Sequence, residues 1–215
     1  MKRLSDIPGI GEELELKYKT KGITIKNIKK HIDKLPIQSQ MYLKYKPITK
    51  IPRSLIPKIV KSFANDKKNI IISGSYRREK LFCSDIDLLY IGKNKSMFKE
   101  RKDWIIYSEG PTKLSGIYKY KSKSYKIDVW YANKTNLPFM LLYSTGSGMF
   151  NIIMRRKAKY KGYKLNQYGL WKNDKKIRIS SEKGIFNKLN LPYYPPNQRN
   201  SNYKPKNLTK IYKKK

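Results

Sequence analysis

Acidic side chains are scarce in this sequence, and so are the residues that build disulfides and zinc clusters. Fifteen Asp and Glu stand against 50 Lys and Arg in 215 residues, a formal net charge of +35. One cysteine, Cys83, excludes a disulfide framework, and with one histidine, His31, it leaves no ligand set for a zinc cluster. No run approaches the roughly 20 apolar residues that span a bilayer. The opening MKRLSDIPGIG lacks the apolar core of a secretory signal. The expectation is a soluble intracellular protein with no membrane partner. What is present is a substantial apolar fraction, 39%, and many aromatics, mostly Tyr, which argue against wholesale disorder. So large a cationic surplus is the footprint of a polyanion binder, with nucleic acid favoured over an anionic membrane surface.

Along the chain, DIPGIGEELELKYKTKGI reads as a turn, a helix from Glu12 and a stop at Gly22. Helical stretches around 24–33 and 36–45 complete a small unit. Ile56, Ile59, Val60 and Phe63 recur at helical spacing within 50–66. NIIIS (69–73) reads as a short buried strand, GSYRREK as a turn opening a helix, and SDIDLLYIG (84–92) as a second strand. Residues 96–102 read as helical. LSGIYKY and SYKIDVWYA form a hairpin around 121–124. SGMFNIIMRRKAKYKG (147–162) is a helix, and YKLNQYGLWKNDKKIRIS a hairpin turning at Asn173-Asp174. A helix around 181–189 and a basic tail end the chain. Cys83 reads as a packed small side chain and His31 as a surface residue.

Against this acid-poor background, Asp85 and Asp87 stand one residue apart inside an apolar run. Strand alternation puts both carboxylates on one face, with Ile86 and Leu88 on the other. In SYKIDVWYA, Lys126, Asp128 and Trp130 likewise face away from Tyr125, Ile127, Val129 and Tyr131. Three strand-borne carboxylates suit a hard divalent cation. Just upstream, SGSYRREK (73–80) places a Gly-Ser turn before a helix, with backbone N–H groups and the guanidinium groups of Arg77 and Arg78 suited to phosphate. Together these parts can hold two Mg²⁺ for in-line nucleotidyl transfer to a 3′-hydroxyl.

The order GS-x-R-R, S-D-I-D and a distant I-D resembles the nucleotidyltransferases of the polymerase beta superfamily. YSTGSGMFNIIMR (143–155) is similar to the signature of DNA polymerase family X, and GYKLNQYGLW (162–171) to the segment that follows it, especially in the minimal viral members. IPGIGEELELKYKTKGI resembles the family's helix-hairpin-helix and IPRSLI its junction into the palm. The resemblance runs from about residue 4 to residue 195. It implies an α/β (α+β) protein. Residues 1–50 would be helical fingers with a truncated helix-hairpin-helix, 51–134 a nucleotidyltransferase palm with a mixed sheet, 135–202 an α+β thumb that binds the nascent base pair, and 203–215 a basic tail.

By the same resemblance Asp85, Asp87 and Asp128 are the catalytic metal ligands, with Asp128 nearest the primer 3′-hydroxyl. Gly74, Ser75, Arg78 and Ser84 would bind the triphosphate side of the nucleotide. Tyr143, Ser144, Thr145 and Gly146 would form the loop under its sugar, and Asn151 would reach the nascent pair. Gly9, Gly11, Lys126, Arg155, Asn166 and Tyr168 would contact DNA. Carbonyls of Ser5, Ile7 and Ile10 correspond to a monovalent-cation site. The implied cofactors are two Mg²⁺, with Mn²⁺ able to substitute. The implied partners are dNTPs and gapped or nicked double-stranded DNA, with a DNA ligase and an AP endonuclease acting alongside a monomer. The implied compartment is nucleus or cytoplasm, or a viral factory or virion.

The sequence also departs from the family pattern. Set against the resemblance, the expectation is a chain that begins at the fingers, without the family's lyase domain. Ser144 stands where many members carry Phe, Gly148 replaces an acid, and Gln167 replaces Glu. The expected function is template-directed DNA synthesis filling short gaps in base-excision-type repair. The alternatives are template-independent terminal transfer, against which Asn151 and Arg155 argue, and a catalytically inactive DNA-binding protein, against which the three intact aspartates argue.

Overall fold

A computed structural model describes residues 3–64, 67–93, 96–98 and 101–200. The basic tail, residues 201–202 of the expected thumb and part of the helix expected at 96–102 lie outside the described residues. Among the described residues no helix is long and apolar enough to cross a membrane.

The first unit closes around Leu4, Ile7, Ile10, Tyr18, Ile23, Ile28 and Leu35. Helix α1 (Glu12–Thr20) carries Glu12, Glu13 and Glu15 in its first turn and Lys17 and Lys19 in its last, the order a helix dipole favours. The stretch expected as a helix at 24–33 is instead a 3₁₀ run over Ile28–Lys34, broken at His31 by a φ of −125°. Its entrance is taken by a local turn, in which Thr24 N donates to Asn27 Oδ1 at 2.7 Å and competes with helical bonding. His31 is half-buried at the break. Helix α2 (Ile37–Tyr45) follows Pro36 and ends at Lys46, whose φ is +44°.

The central unit runs β1 (Ile51–Pro52), α3 (Ile56–Phe63), β2 (Ile70–Ile72), α4 (Gly74–Arg77), β3 (Phe82–Cys83), β4 (Ile86–Tyr90), β5 (Trp104–Glu109), β6 (Lys113–Tyr120) and β7 (Lys123–Tyr131). Helix α3 buries the four residues its spacing marks, Ile56, Ile59, Val60 and Phe63. Each fully buried apolar side chain contributes on the order of 1.5–3 kcal/mol. The main sheet has the order β2-β4-β7-β6-β5 and is mixed, with β4 and β7 parallel and the other pairs antiparallel. β1 and β3 form a separate antiparallel pair. Cys83 is buried as a free thiol.

Three expectations change here. β2 is not a buried strand but a half-buried edge, because only β4 pairs with it. The β6–β7 turn is the two residues Lys121 and Ser122, both at positive φ, rather than 121–124. That is the backbone twist favoured between antiparallel strands. It sets Ser115, not Ile117, opposite Asp128. β5 belongs to the sheet although no alternation announces it, and a register irregularity interrupts its pairing between Ile106 and Ser108.

The last unit comprises α5 (Leu137–Thr145), α6 (Gly148–Tyr160), β8 (Lys164–Asn166), β9 (Gly169–Lys172), β10 (Lys175–Lys176) and α7 (Glu182–Lys188). Ser147 caps α6 by accepting from Phe150 N at 3.4 Å, and Ser181 caps α7 by accepting from Gly184 N at 3.1 Å. The expected hairpin is a three-stranded antiparallel meander, β10-β9-β8, whose second turn lies at Asn173-Asp174. Phe139, Leu142, Phe150, Met154, Ile185 and Phe186 form its core.

Candidate active site

The parallel register of β4 and β7 decides the site. Asp87 lies directly beside Asp128, with Ile86 beside Ile127 and Leu88 beside Val129 in the core. Asp85 precedes β4, so an ammonium rather than the ladder brings it to the cluster. Lys126 Nζ donates to Asp85 Oδ2 at 3.1 Å and stands 3.3 Å from Asp128 Oδ2. Lys113, from β6, donates to Asp128 Oδ2 at 2.9 Å.

The electrostatics follow from this crowding. Burial, then the charges of Asp85 and Asp128, push Asp87 up to about 7. Burial also raises Asp128, but Lys126 and Lys113 outweigh it and hold that carboxyl below its ordinary value. Burial lowers Lys126, and Asp128 and Asp85 more than restore it. Among the described residues no three His, Cys, Asp or Glu side chains stand close enough to hold one ion together. The donors nevertheless fit a hard cation. Asp87 is destabilised by its neighbours' charge, and Asp128 Oδ1 is buried with no hydrogen-bond partner.

Above the carboxylates a cleft of about 410 Å³ is lined by Gly74, Ser75, Arg78, Ser84, Asp85, Asp87 and Trp130 on one side. Tyr143, Ser144, Gly146, Gly148, Asn151, Ile152 and Arg155 line the other. Its floor depends on Gly74, whose φ is +58° and whose place, given a Cβ, would bring that carbon into collision with Asp87 Oδ2. A side chain there would displace the carboxylate. Ser84 Oγ donates to Asp85 Oδ1 at 3.1 Å. Arg78 donates through Nη1 to the Thr145 carbonyl, so the cradle is tied to the end of α5.

The far wall is ordered by Asn151, which donates through Nδ2 to the Tyr143 carbonyl at 2.8 Å, while Arg155 lies 5.3 Å from the Tyr143 ring centroid. Asn166 borders a smaller recess shared with Tyr143, Asn151 and Arg155. The Tyr168 hydroxyl reaches to 3.3 Å from Thr112 Oγ1, across to the β5–β6 connection.

Other expected site residues lie elsewhere. Thr145 is fully buried behind the cleft, where its hydroxyl accepts from Arg77 at 2.7 Å. Arg77 is not a phosphate donor but a structural one, because both its terminal nitrogens bond Glu182 at 3.1 and 3.0 Å. Gly9, Gly11, Ser5, Ile7 and Ile10 belong to the first unit and do not line the cleft. The Ile7 carbonyl already accepts from Ile10 N at 3.0 Å.

Trp130 and Lys113 are members of the site that sequence reasoning passed over. Alternation along SYKIDVWYA places Trp130 on the Asp128 face, but spacing alone does not show that its indole meets Asp87. Lys113 faces Trp130 across the hairpin, a pairing visible once the turn is known to be two residues long.

Comparison with known proteins gives the family. Residues 140–200 match the DNA polymerase beta thumb family. The repair DNA polymerase X of African swine fever virus is 34% identical over 142 residues, which cover 61% of this chain and 82% of the viral protein. DNA polymerase lambda of Arabidopsis thaliana is 26% identical over 91% of this chain and 45% of its own length. In fold, the chain superposes on polymerase beta of Leishmania infantum, solved as a ternary P/T complex, with a TM-score of 0.74 and 22% identity. That likeness covers 92% of this chain and 97% of the other. The chain therefore belongs to family X of the DNA-directed DNA polymerases.

Proposed function

We propose that this polymerase fills short gaps in duplex DNA during base-excision-type repair, by nucleotidyl transfer assisted by two Mg²⁺. The observation that carries the reading is the parallel register that sets Asp87, which lines the cleft, beside the buried Asp128. Asp85, Asp87 and Asp128 would hold the ions, which when bound supply charge neutralisation and a more acidic 3′-hydroxyl. Mn²⁺ would serve in the same oxygen-rich set.

The chain's own groups do the rest. Gly74, Ser75, Ser84 and Arg78 present donors to the triphosphate. Tyr143, Ser144 and Gly146 floor the sugar, while Asn151 and Arg155 face the nascent pair. Asp128, lowest in basicity of the pair on the ladder, orients the primer terminus. The 3′-hydroxyl gives up its proton to solvent, and its oxygen bonds the α-phosphorus as the bond to the pyrophosphate leaving group breaks. Lys126, Asn166 and Tyr168 would follow the DNA strands, with fingers over 1–50, palm over 51–134 and thumb over 135–202. Such a step belongs between strand incision by an AP endonuclease and sealing by a ligase.

Primer extension on one-nucleotide-gapped, recessed and blunt DNA, with each dNTP and rNTP, tests the reading. Templated dNMP addition, fastest on the gap, is expected. Untemplated addition to blunt ends at comparable rate would favour terminal transfer instead.

A further inference from the structure

Trp130 Nε1 donates to Asp87 Oδ1 at 3.4 Å, while the carboxylate's other oxygen packs against Gly74. The indole is itself held from two sides. Lys113 Nζ lies 4.5 Å from its ring centroid, and the Tyr143 ring meets it edge-on at 5.3 Å and 80°. Lys113 is the same lysine that pairs with Asp128, and Tyr143 is the ring beneath Arg155. One side chain thus touches Asp87, supports the partner of Asp128 and abuts the opposite wall of the cleft.

The kind of donor matters. Lys126 satisfies Asp85 and Asp128 with a full positive charge, which opposes any cation approaching the same oxygens. An indole N–H satisfies one lone pair of Asp87 without adding charge, and it is a donor only, so it cannot draw the proton of a neutralised carboxyl. It fixes the carboxylate's rotation while the electrostatic demand for a cation stays intact. We propose that Trp130 is the positioning residue of Asp87, and that the affinity of the site for a divalent cation depends on its N–H. This inference rests on the reading of Asp87 as a metal ligand.

The test is a Mn²⁺ titration of the full chain, following the free-ion signal by electron paramagnetic resonance. Trp130→Phe keeps a ring and loses the donor; Trp130→Gln keeps a donor and loses the ring. With a charge-assisted bond at the long end of the range, Trp130→Phe is expected to weaken Mn²⁺ binding about tenfold, and Trp130→Gln by less than about threefold. Wild-type affinity in Trp130→Phe, or equal weakening in both variants, would overturn the inference.

A second readout needs no variant. Of the three indole N–H signals expected from three tryptophans, one should shift on adding Mg²⁺; three unmoved signals would also overturn it. Asp87→Asn separates the two readings. If it binds Mn²⁺ like wild type, the metal assignment itself fails; if it binds weakly while Trp130→Phe does not, only the role of Trp130 fails.

Discussion

Asp87 is constrained from three directions. Its backbone carbonyl accepts from Ser73 N at 2.8 Å, its Oδ2 packs on a glycine that no other residue could replace without moving it, and its Oδ1 meets an indole. Strand alternation made the first part of this legible, because Asp85, Asp87 and Asp128 all lie opposite core residues in the sequence. What alternation could not give was the difference in basicity between neighbours: burial and two carboxylates raise Asp87, while Lys126 on the same strand and Lys113 on β6 lower Asp128. Arg77 and Arg78 show the same limit. Adjacent in sequence and equal in charge, they part company only in three dimensions, one held by Glu182 and the other turned to the cleft. Arg78→Ala is therefore expected to weaken dNTP binding by about 1.5–3 kcal/mol, the worth of a charge-assisted bond. Equilibrium binding of a non-hydrolysable dNTP measures it, and unchanged affinity would move the triphosphate cradle to other residues.

At the scale of elements, the amphipathic α3 and the β6–β7 hairpin were readable, since both carry a clean period. β1 and β3 are two residues long and have none, and β5 follows a charged stretch and is interrupted in its pairing. The contact least visible in sequence joins α4 to α7. Glu182 accepts from Arg77 and, at 2.6 Å, from the fully buried Arg199. Burial raises the Glu182 carboxyl, but its bonds to Arg199 and Arg77 outweigh this and hold it below its ordinary value. A depressed carboxyl contributes stability that is present above its unfolded value, about 4.3, and lost as pH falls through the folded one. Glu182→Gln should cost about 3 kcal/mol at pH 7 by leaving Arg199 buried and unpaired. It should also flatten the loss of stability below about pH 4.3. Urea melts of both proteins between about pH 3 and pH 7 check both statements, and parallel curves would assign the acid sensitivity elsewhere.

For the molecule as a whole, the scarcity of acids has two consequences that fit together. Three of the few carboxylates meet at the candidate site and Glu182 pairs with Arg77 across units, while the lysine surplus is left for a polyanion. DNA binding should accordingly be strongly salt-dependent and nearly blind to sequence. With about 6–10 phosphates contacted, affinity should fall by roughly 10³–10⁵ between about 50 and 200 mM salt. Fluorescence anisotropy of a labelled gapped duplex would show this slope, and a flat titration would place the surplus away from DNA.

As proposed, Asp85, Asp87 and Asp128 form one catalytic centre rather than a solvated acidic edge. Single-nucleotide insertion on a gapped duplex at saturating Mg²⁺ and dNTP tests it most directly, comparing the wild type with Asp85→Asn, Asp87→Asn and Asp128→Ala, with DNA affinity measured alongside. Each substitution is expected to abolish insertion while gapped-DNA binding stays near the wild-type value. Wild-type-like insertion by any one of the three, with DNA binding intact, would contradict it.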